Sequence, residues 1–145
     1  MAIVRDILAN KGSHVWSIGG QSSVLDAARF MTEHKIGALI VLDGERIAGM
    51  FSERDILQRV VAEGRDPAKA VVREVMTEEV ACCTPETSIE EARGAMKNRR
   101  IRHLPVVDGQ DHLLGVISIG DLNAFQVASQ EQTIFLLNEY LYGRV

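Results

Sequence analysis

The chain repeats itself. Ser88 stands 65 residues after Ser23, and at that spacing Val15 meets Val80, Ala27 meets Ala92, Met31 meets Met96 and Ile36 meets Ile101. Leu39, Val41, Asp43 and Gly44 meet Leu104, Val106, Asp108 and Gly109. One inserted residue then moves the spacing to 66, where Gly49, Ser52 and Asp55 meet Gly115, Ser118 and Asp121. Such a register means two copies of one structural unit. A unit of roughly 60 residues is marginal as an independent core. The two copies are therefore expected to pack face to face about an approximate two-fold axis, with clefts between them lined by equivalent residues.

Each copy reads strand, helix, strand, strand, helix. Val15 to Ile18 is a strand candidate, and Ser23 with Asp26 three residues on marks a capped helix start. Val24, Ala27, Ala28 and Met31 give that helix one apolar stripe. Ala38 to Leu42 has the length and continuous apolarity of a strand covered on both faces. Asp43-Gly44 signals a hairpin into a strand over Ile47 to Phe51. Ser52 opens a second helix whose expected inner face is Ile56, Leu57, Val60 and Val61. A short turn over Val4 to Leu8 and a loop at Asn10 to Ser13 precede the first copy. Glu63 to Pro67 links the copies, with Pro67 in the first turn of a short helix carrying Val71, Val72 and Val75. Residues 1–66 and 67–128 thus form the two repeats. Residues 129–145 form a helical extension with a stripe of Ile134, Leu137 and Leu141, flanked by Phe135, Leu136 and Tyr140. A helix apolar over so much of its circumference has to pack on the body or on another subunit.

Composition narrows the function classes. Of the 145 residues, 46% are hydrophobic and 25% charged, the balance of a soluble globular protein. A net charge of −4 argues against a nucleic-acid binder, although Lys97, Arg99, Arg100, Arg102 and His103 form a local basic cluster. No apolar run approaches the roughly 18 residues of a membrane span, and the start has no signal-peptide pattern, so a cytoplasmic location is expected. The two cysteines, Cys82 and Cys83, are adjacent, as expected of small residues on opposite faces of a strand, with a vicinal redox pair as the sharper alternative. The four histidines show no metal-ligand spacing. No nucleophile elbow, phosphate-binding loop or metal signature is present, which argues against an enzyme.

The chemistry concentrates at the repeated corner, Gly49 to Asp55 and Gly115 to Asp121. Ser-x-x-Asp at a helix start is a capping signature in its own right. It is also a site for an anionic ligand, because the first amides of the helix and its dipole point outward. The basic residues after the first helix of the second copy strengthen the ligand reading, since an Arg holds phosphate bidentately. The copies differ: Arg54 precedes Asp55, where Gly120 precedes Asp121, and Lys35-Ile36-Gly37 stands where the second copy has Arg100-Ile101-Arg102.

The tandem order, the Gly-h-h-Ser-x-x-Asp corner in both copies, and Ile101-Arg102-His103-Leu104-Pro105-Val106 before Asp108-Gly109 resemble a pair of CBS (cystathionine β-synthase) domains, a Bateman module. The resemblance spans about residues 4 to 127. It implies an α/β fold of the α+β type: two β-α-β-β-α repeats with pseudo-two-fold symmetry, here followed by a C-terminal helix. It further implies a homodimer and adenine nucleotides such as AMP, ATP, NAD or S-adenosylmethionine bound between repeats. The role implied is regulation of an unidentified partner protein, without catalysis. Carried onto this chain, Asp55 and Asp121 would bond ribose hydroxyls, with Ser52 and Ser118 beside ribose and phosphate. Arg54, Lys35, Gly37, Arg102, His103, Pro105 and Gly120 complete the expected sites. Ile18, Ile36 and Ile101 flank the base, or else belong to ordinary core. An interaction scaffold with vestigial sites is the other reading.

Overall fold

The structure, a computed structural model, describes residues 2–11 and 15–142. Helix α1 (Val4–Lys11) comes first, then β1 (Ser17–Gly19), α2 (Val24–His34), β2 (Ala38–Asp43) and β3 (Arg46–Ser52). Helix α3 begins at Glu53–Asp55 and widens into π-helical turns over Ile56–Val61. After α4 (Val72–Val75), the second copy runs α5 (Ile89–Arg99), β4 (His103–Val107), β5 (Leu113–Ser118) and α6 (Ile119–Tyr142).

The repeat is visible in detail. β2 pairs antiparallel with β3, and β4 with β5, and each hairpin carries its bulge at the same place, after Val41 and after Val106. Ser23 Oγ accepts the Asp26 amide and Ser88 Oγ the Glu91 amide, both at 3.0 Å. Helices α2 and α5 both end on a left-handed residue, Lys35 and Arg100, each at φ 55. The following amides, of Ile36 and Ile101, then close onto the Met31 and Met96 carbonyls. β1 adds to β2 in parallel, with Ser17 opposite Ile40 and Ile18 opposite Val41. In the second copy this strand shrinks to one bridge, Cys83 to Val106. The reason is Pro105, which stands where the first copy has Ile40. Ile40 donates its N–H to the Trp16 carbonyl, and a proline has none to give.

Several expected boundaries move. The turn over Val4 to Leu8 is a full helix that takes in Asn10 and Lys11, while Gly12 and Ser13 lie outside the described residues. The first strand begins at Ser17 rather than Val15. Pro67 sits in a turn rather than a helix. The Asp66 carboxylate accepts the Ala68 amide and its carbonyl accepts those of Lys69 and Ala70, so the chain folds back before α4 starts. Of the expected inner face of α3, Val60 is buried, but Leu57 and Val61 are 62% and 63% exposed. A π turn holds more residues than an α turn, which rotates that second column away from the body.

Two hydrophobic cores form, and each borrows its first helix from outside its own strand-helix unit. Val4 and Ile7 of α1 pack with Ala92, Met96, Leu104, Val106, Ile117 and Leu122 of the second copy. Ala70, Val72 and Val75 pack with Val24, Met31, Leu39 and Phe51 of the first. The backbone ties match: Ile3 bridges Ser88, and Val71 bridges Ser23. The packing units thus exchange their leading helices relative to the order of the chain, which staples the two copies together. The hairpins also touch directly, through a bridge between Arg46 and His112.

Gly49 is needed for this staple. A Cβ at that position would stand 2.6 Å from the Thr77 carbonyl and 2.9 Å from Met76 Sδ. The same stretch carries two backbone hydrogen bonds between Met50 and Thr77. Gly49→Ala is expected to cost about 2–3 kcal/mol, because a backbone atom has to move and a half-buried bridge weakens. The midpoint of urea unfolding measures it, and an unchanged midpoint would refute the close approach.

Candidate functional site

Both corners are built from the same parts. Ser52 and Ser118 are the last residues of β3 and β5, and the next helix starts immediately. The Asp55 amide lies 3.4 Å from Ser52 Oγ, and the Ser52 amide donates to the Asp55 carboxylate at 3.0 Å. In the second corner the Asp121 amide donates to Ser118 Oγ at 3.0 Å, and the Ser118 amide to the Asp121 carboxylate at 2.8 Å. Each is a reciprocal capping box. The first helical amides are also taken, Glu53 by the Gly37 carbonyl and Ile119 by the Arg102 carbonyl. Two of the outward amides counted on for an anion are therefore already bonded within the chain.

The corners part company at the further partner of each carboxylate, which meets Oδ1 of Asp55 but the already bonded Oδ2 of Asp121. Asp55 is buried, with 7% of its surface exposed. Its Oδ1 accepts the Thr77 hydroxyl at 3.2 Å, with Arg59 Nε at 3.8 Å. The Arg59 guanidinium meanwhile donates to the Met76 carbonyl at 2.7 Å. In the second corner the Asp121 side chain is 25% exposed and its partner is a cation, Lys11 Nζ at 2.5 Å. Partial burial alone would raise the Asp121 carboxyl. The Lys11 hydrogen bond, the Ser118 amide and the Lys11 charge outweigh it and hold the group below the ordinary carboxylate value.

Lys11 and Thr77 occupy equivalent places. The Thr77 amide donates to the Met50 carbonyl and its hydroxyl to Asp55. Lys11 Nζ donates to the Val116 carbonyl at 2.6 Å and also to Asp121. Met50 and Val116 are repeat equivalents, 66 residues apart. One ammonium thus does in the second copy what an amide and a hydroxyl do in the first. Neither residue stands out in the sequence as a site residue. Lys11 reads as a loop cation, and only the exchange of leading helices brings it to Asp121.

The other expected site residues divide. His103, at the start of β4, lies opposite Ser118 and is half-buried beside Lys11 and Asp121. Pro105 is buried in β4, and Arg102 and Gly120 are exposed at the mouth of the same corner. A Cβ on Gly120 would meet nothing closer than Ser118 Oγ at 3.5 Å, so the space above that backbone is open. Arg54 is exposed. Lys35, Ile36 and Gly37 line a separate hollow of about 280 Å³ with Glu53, whose carboxylate faces Gly37. The Gly37 carbonyl reaches the first corner by accepting the Glu53 amide, but the Glu53 carboxylate beside it disfavours phosphate. Ile18 and Ile36 pack on the first core, and Ile101 on the second. A wider depression, about 720 Å³, lies elsewhere, between the hairpins, lined by Val15, Ser17, Leu42, Gly44, Glu45, His112 and Leu113. It is open and holds none of the corner residues, so size alone does not mark the site.

Burial lowers His103 below the ordinary histidine value; the charges of Lys11 and Arg102 add to this, and Asp121 opposes it. The unfolded chain therefore takes up this proton first, and stability falls as pH drops from the ordinary value, about 6.5, towards the folded one. His103→Gln is expected to remove that share of the acid loss. Urea midpoints at about pH 7.5 and about pH 5.5 should fall less in the variant than in the wild type. Equal falls would show that His103 titrates as it does in the open chain.

The cysteines are not poised for redox work. Cys83 is buried, and burial with Cys82 beside it pushes its thiol up to about 11. Cys82 is exposed, and its thiol is raised by partial burial and by Asp111. Among the described residues no cluster of three or more His, Cys, Asp or Glu is placed to hold a metal. Nor is any described helix long and apolar enough to cross a membrane.

Known proteins share this architecture. YhcV of Bacillus subtilis, a CBS domain-containing protein, is 33% identical over 138 residues, covering 95% of each chain. A putative signal-transduction protein with CBS domains from Burkholderia ambifaria superposes with a TM-score of 0.83 at 39% identity, over 89% of this chain and 96% of its own. The CBS domain pair of protein MJ0100, solved with 5′-methylthioadenosine and S-adenosyl-L-methionine, shares the fold at a TM-score of 0.77 and 22% identity, over 89% and 98% of the two chains. The CBS domain model itself matches twice, over residues 4–62 and 72–127, so the chain belongs to the CBS domain family as a tandem pair.

Proposed function

We propose that the chain is a regulatory module that senses an adenine nucleotide, of the AMP, ATP or NAD type, and does no catalysis of its own. The observation that carries this is the second corner. There a partly exposed carboxylate, Asp121, sits beside an ammonium, an imidazole and an exposed guanidinium, under an open glycine backbone. A carboxylate suits the paired hydroxyls of a ribose, and the cations suit the phosphate attached to it. The adenosine compounds bound by the MJ0100 domain pair lend support by likeness of fold. The first corner favours the scaffold reading instead. Asp55 is buried and already accepts from Ser52 and Thr77, so it serves as a cap and a staple. One working site in the second copy and a structural corner in the first follow from this contrast.

Signalling needs a second body. The exposed apolar length of α6 suits a homodimer, and a ligand alters that assembly only by its different affinity for two arrangements. The regulated partner is a separate protein, met in the cytoplasm. Isothermal calorimetry on protein stripped of co-purified ligand, titrated with AMP, ATP, NAD and S-adenosylmethionine, tests the proposal. Saturable heat with at least one is expected, and none with any of the four would sink it.

A further inference from the structure

We propose that Lys11 is the specificity-determining residue of the second corner, making it select nucleotides by charge. The inference rests on the reading of Asp121 as the ribose contact. Lys11 comes from α1, a helix that precedes the first copy yet packs into the second core through Val4 and Ile7. Its ammonium is fixed by two acceptors, Asp121 Oδ2 at 2.5 Å and the Val116 carbonyl at 2.6 Å. It therefore sits on the carboxylate that a ribose has to reach.

Two kinds of ligand meet this arrangement differently. A neutral nucleoside that takes Asp121 leaves Lys11 with one carbonyl and no counter-charge, in a place where Arg102 already makes the surroundings positive. A nucleotide brings its own anion, so the ammonium passes from carboxylate to phosphate and a charge-assisted bond is kept. The Lys11 side chain is one-third exposed, which gives it room to turn. The first corner cannot discriminate in this way. Thr77, in the equivalent place, is uncharged, and the Arg59 guanidinium is held by the Met76 carbonyl.

The test compares adenosine with AMP by calorimetry, reading the binding event that Asp121→Ala abolishes. In the wild type AMP is expected to bind at least about tenfold tighter than adenosine, the scale of one hydrogen bond to a charged group. Lys11→Met should bring the two within about twofold, by weakening AMP and easing adenosine onto the freed carboxylate. Lys11→Arg keeps the charge and should keep the preference. An unchanged ratio in Lys11→Met, or equal affinities in the wild type, overturns the role of Lys11 while leaving a nucleotide site standing. Binding of neither compound by the wild type, where another nucleotide does bind, also overturns it. Absence of binding by every nucleotide removes the site itself, and the role of Lys11 with it.

Discussion

Asp121→Ala is expected to weaken nucleotide binding by at least about 100-fold, since two hydrogen bonds from ribose to a charged acceptor are lost at roughly 1.5–3 kcal/mol each. The same change should cost the fold only about 1 kcal/mol, the value of a helix cap. Lys11 is one-third exposed and can be hydrated once its partner is gone, and the Ser118 hydroxyl still caps the Asp121 amide. Asp55→Ala should behave in the opposite way. It strands the Ser52 amide and the Thr77 hydroxyl around a buried position, at about 2–3 kcal/mol, and it loosens the contact between β3 and the segment after α4. Its effect on nucleotide affinity should be within about threefold, because an unavailable carboxylate contributes little to binding. Calorimetry and urea unfolding on the two variants separate the roles. If Asp55→Ala abolishes binding and Asp121→Ala leaves it intact, the assignment of the corners is reversed.

How much of this was legible in the sequence follows from the range of the interactions. The duplication, the hairpins, the caps at Ser23 and Ser88 and the two Ser-x-x-Asp corners depend on residues near one another in the chain, and the repeat spacing reads them twice. The difference between the corners is another matter. It depends on Lys11 reaching Asp121 across 110 residues and on Thr77 reaching Asp55 across 22. Both contacts exist because α1 and α4 pack into each other's units, and nothing in local spacing announces that exchange. The sequence contrast of Arg54 with Gly120 pointed to unequal sites. In the structure the two corners differ in burial as well, since Asp55 is enclosed and Asp121 is not. Lys35 and Gly37 are expected site residues because they stand where the second copy has Arg100 and Arg102. The carboxylate of Glu53 facing Gly37 is what alignment by position could not show.

Leu137→Glu with Leu141→Glu is expected to turn a dimer into a monomer. Helix α6 is 24 residues long, and every described side chain from Gln126 to Asn138 is exposed. Packing on the body, one of the two outcomes expected from its sequence, is therefore not what this stretch does. Val127, Ile134, Phe135, Leu136, Leu137 and Leu141 are each 51–66% exposed. With about 150–200 Å² per large side chain, they offer roughly 500–600 Å². A standard interface takes about 800 Å² from each partner, so this helix supplies most of one. A second copy satisfies the requirement with the same surface on both sides, as two-fold assemblies do. A lone helix with this surface gains too little from its own hydrogen bonds to stay formed in water. Replacing two leucines removes about 2 kcal/mol each and sets carboxylates in an apolar seam beside Glu139. The dimer should weaken by at least about 1,000-fold. Light scattering at micromolar concentration then reads half the mass, with nucleotide binding at Asp121 intact because both side chains are exposed. A wild type that is already monomeric refutes the contact, and a variant that stays dimeric moves the interface to Leu57 and Val61, the other exposed apolar pair among the described residues.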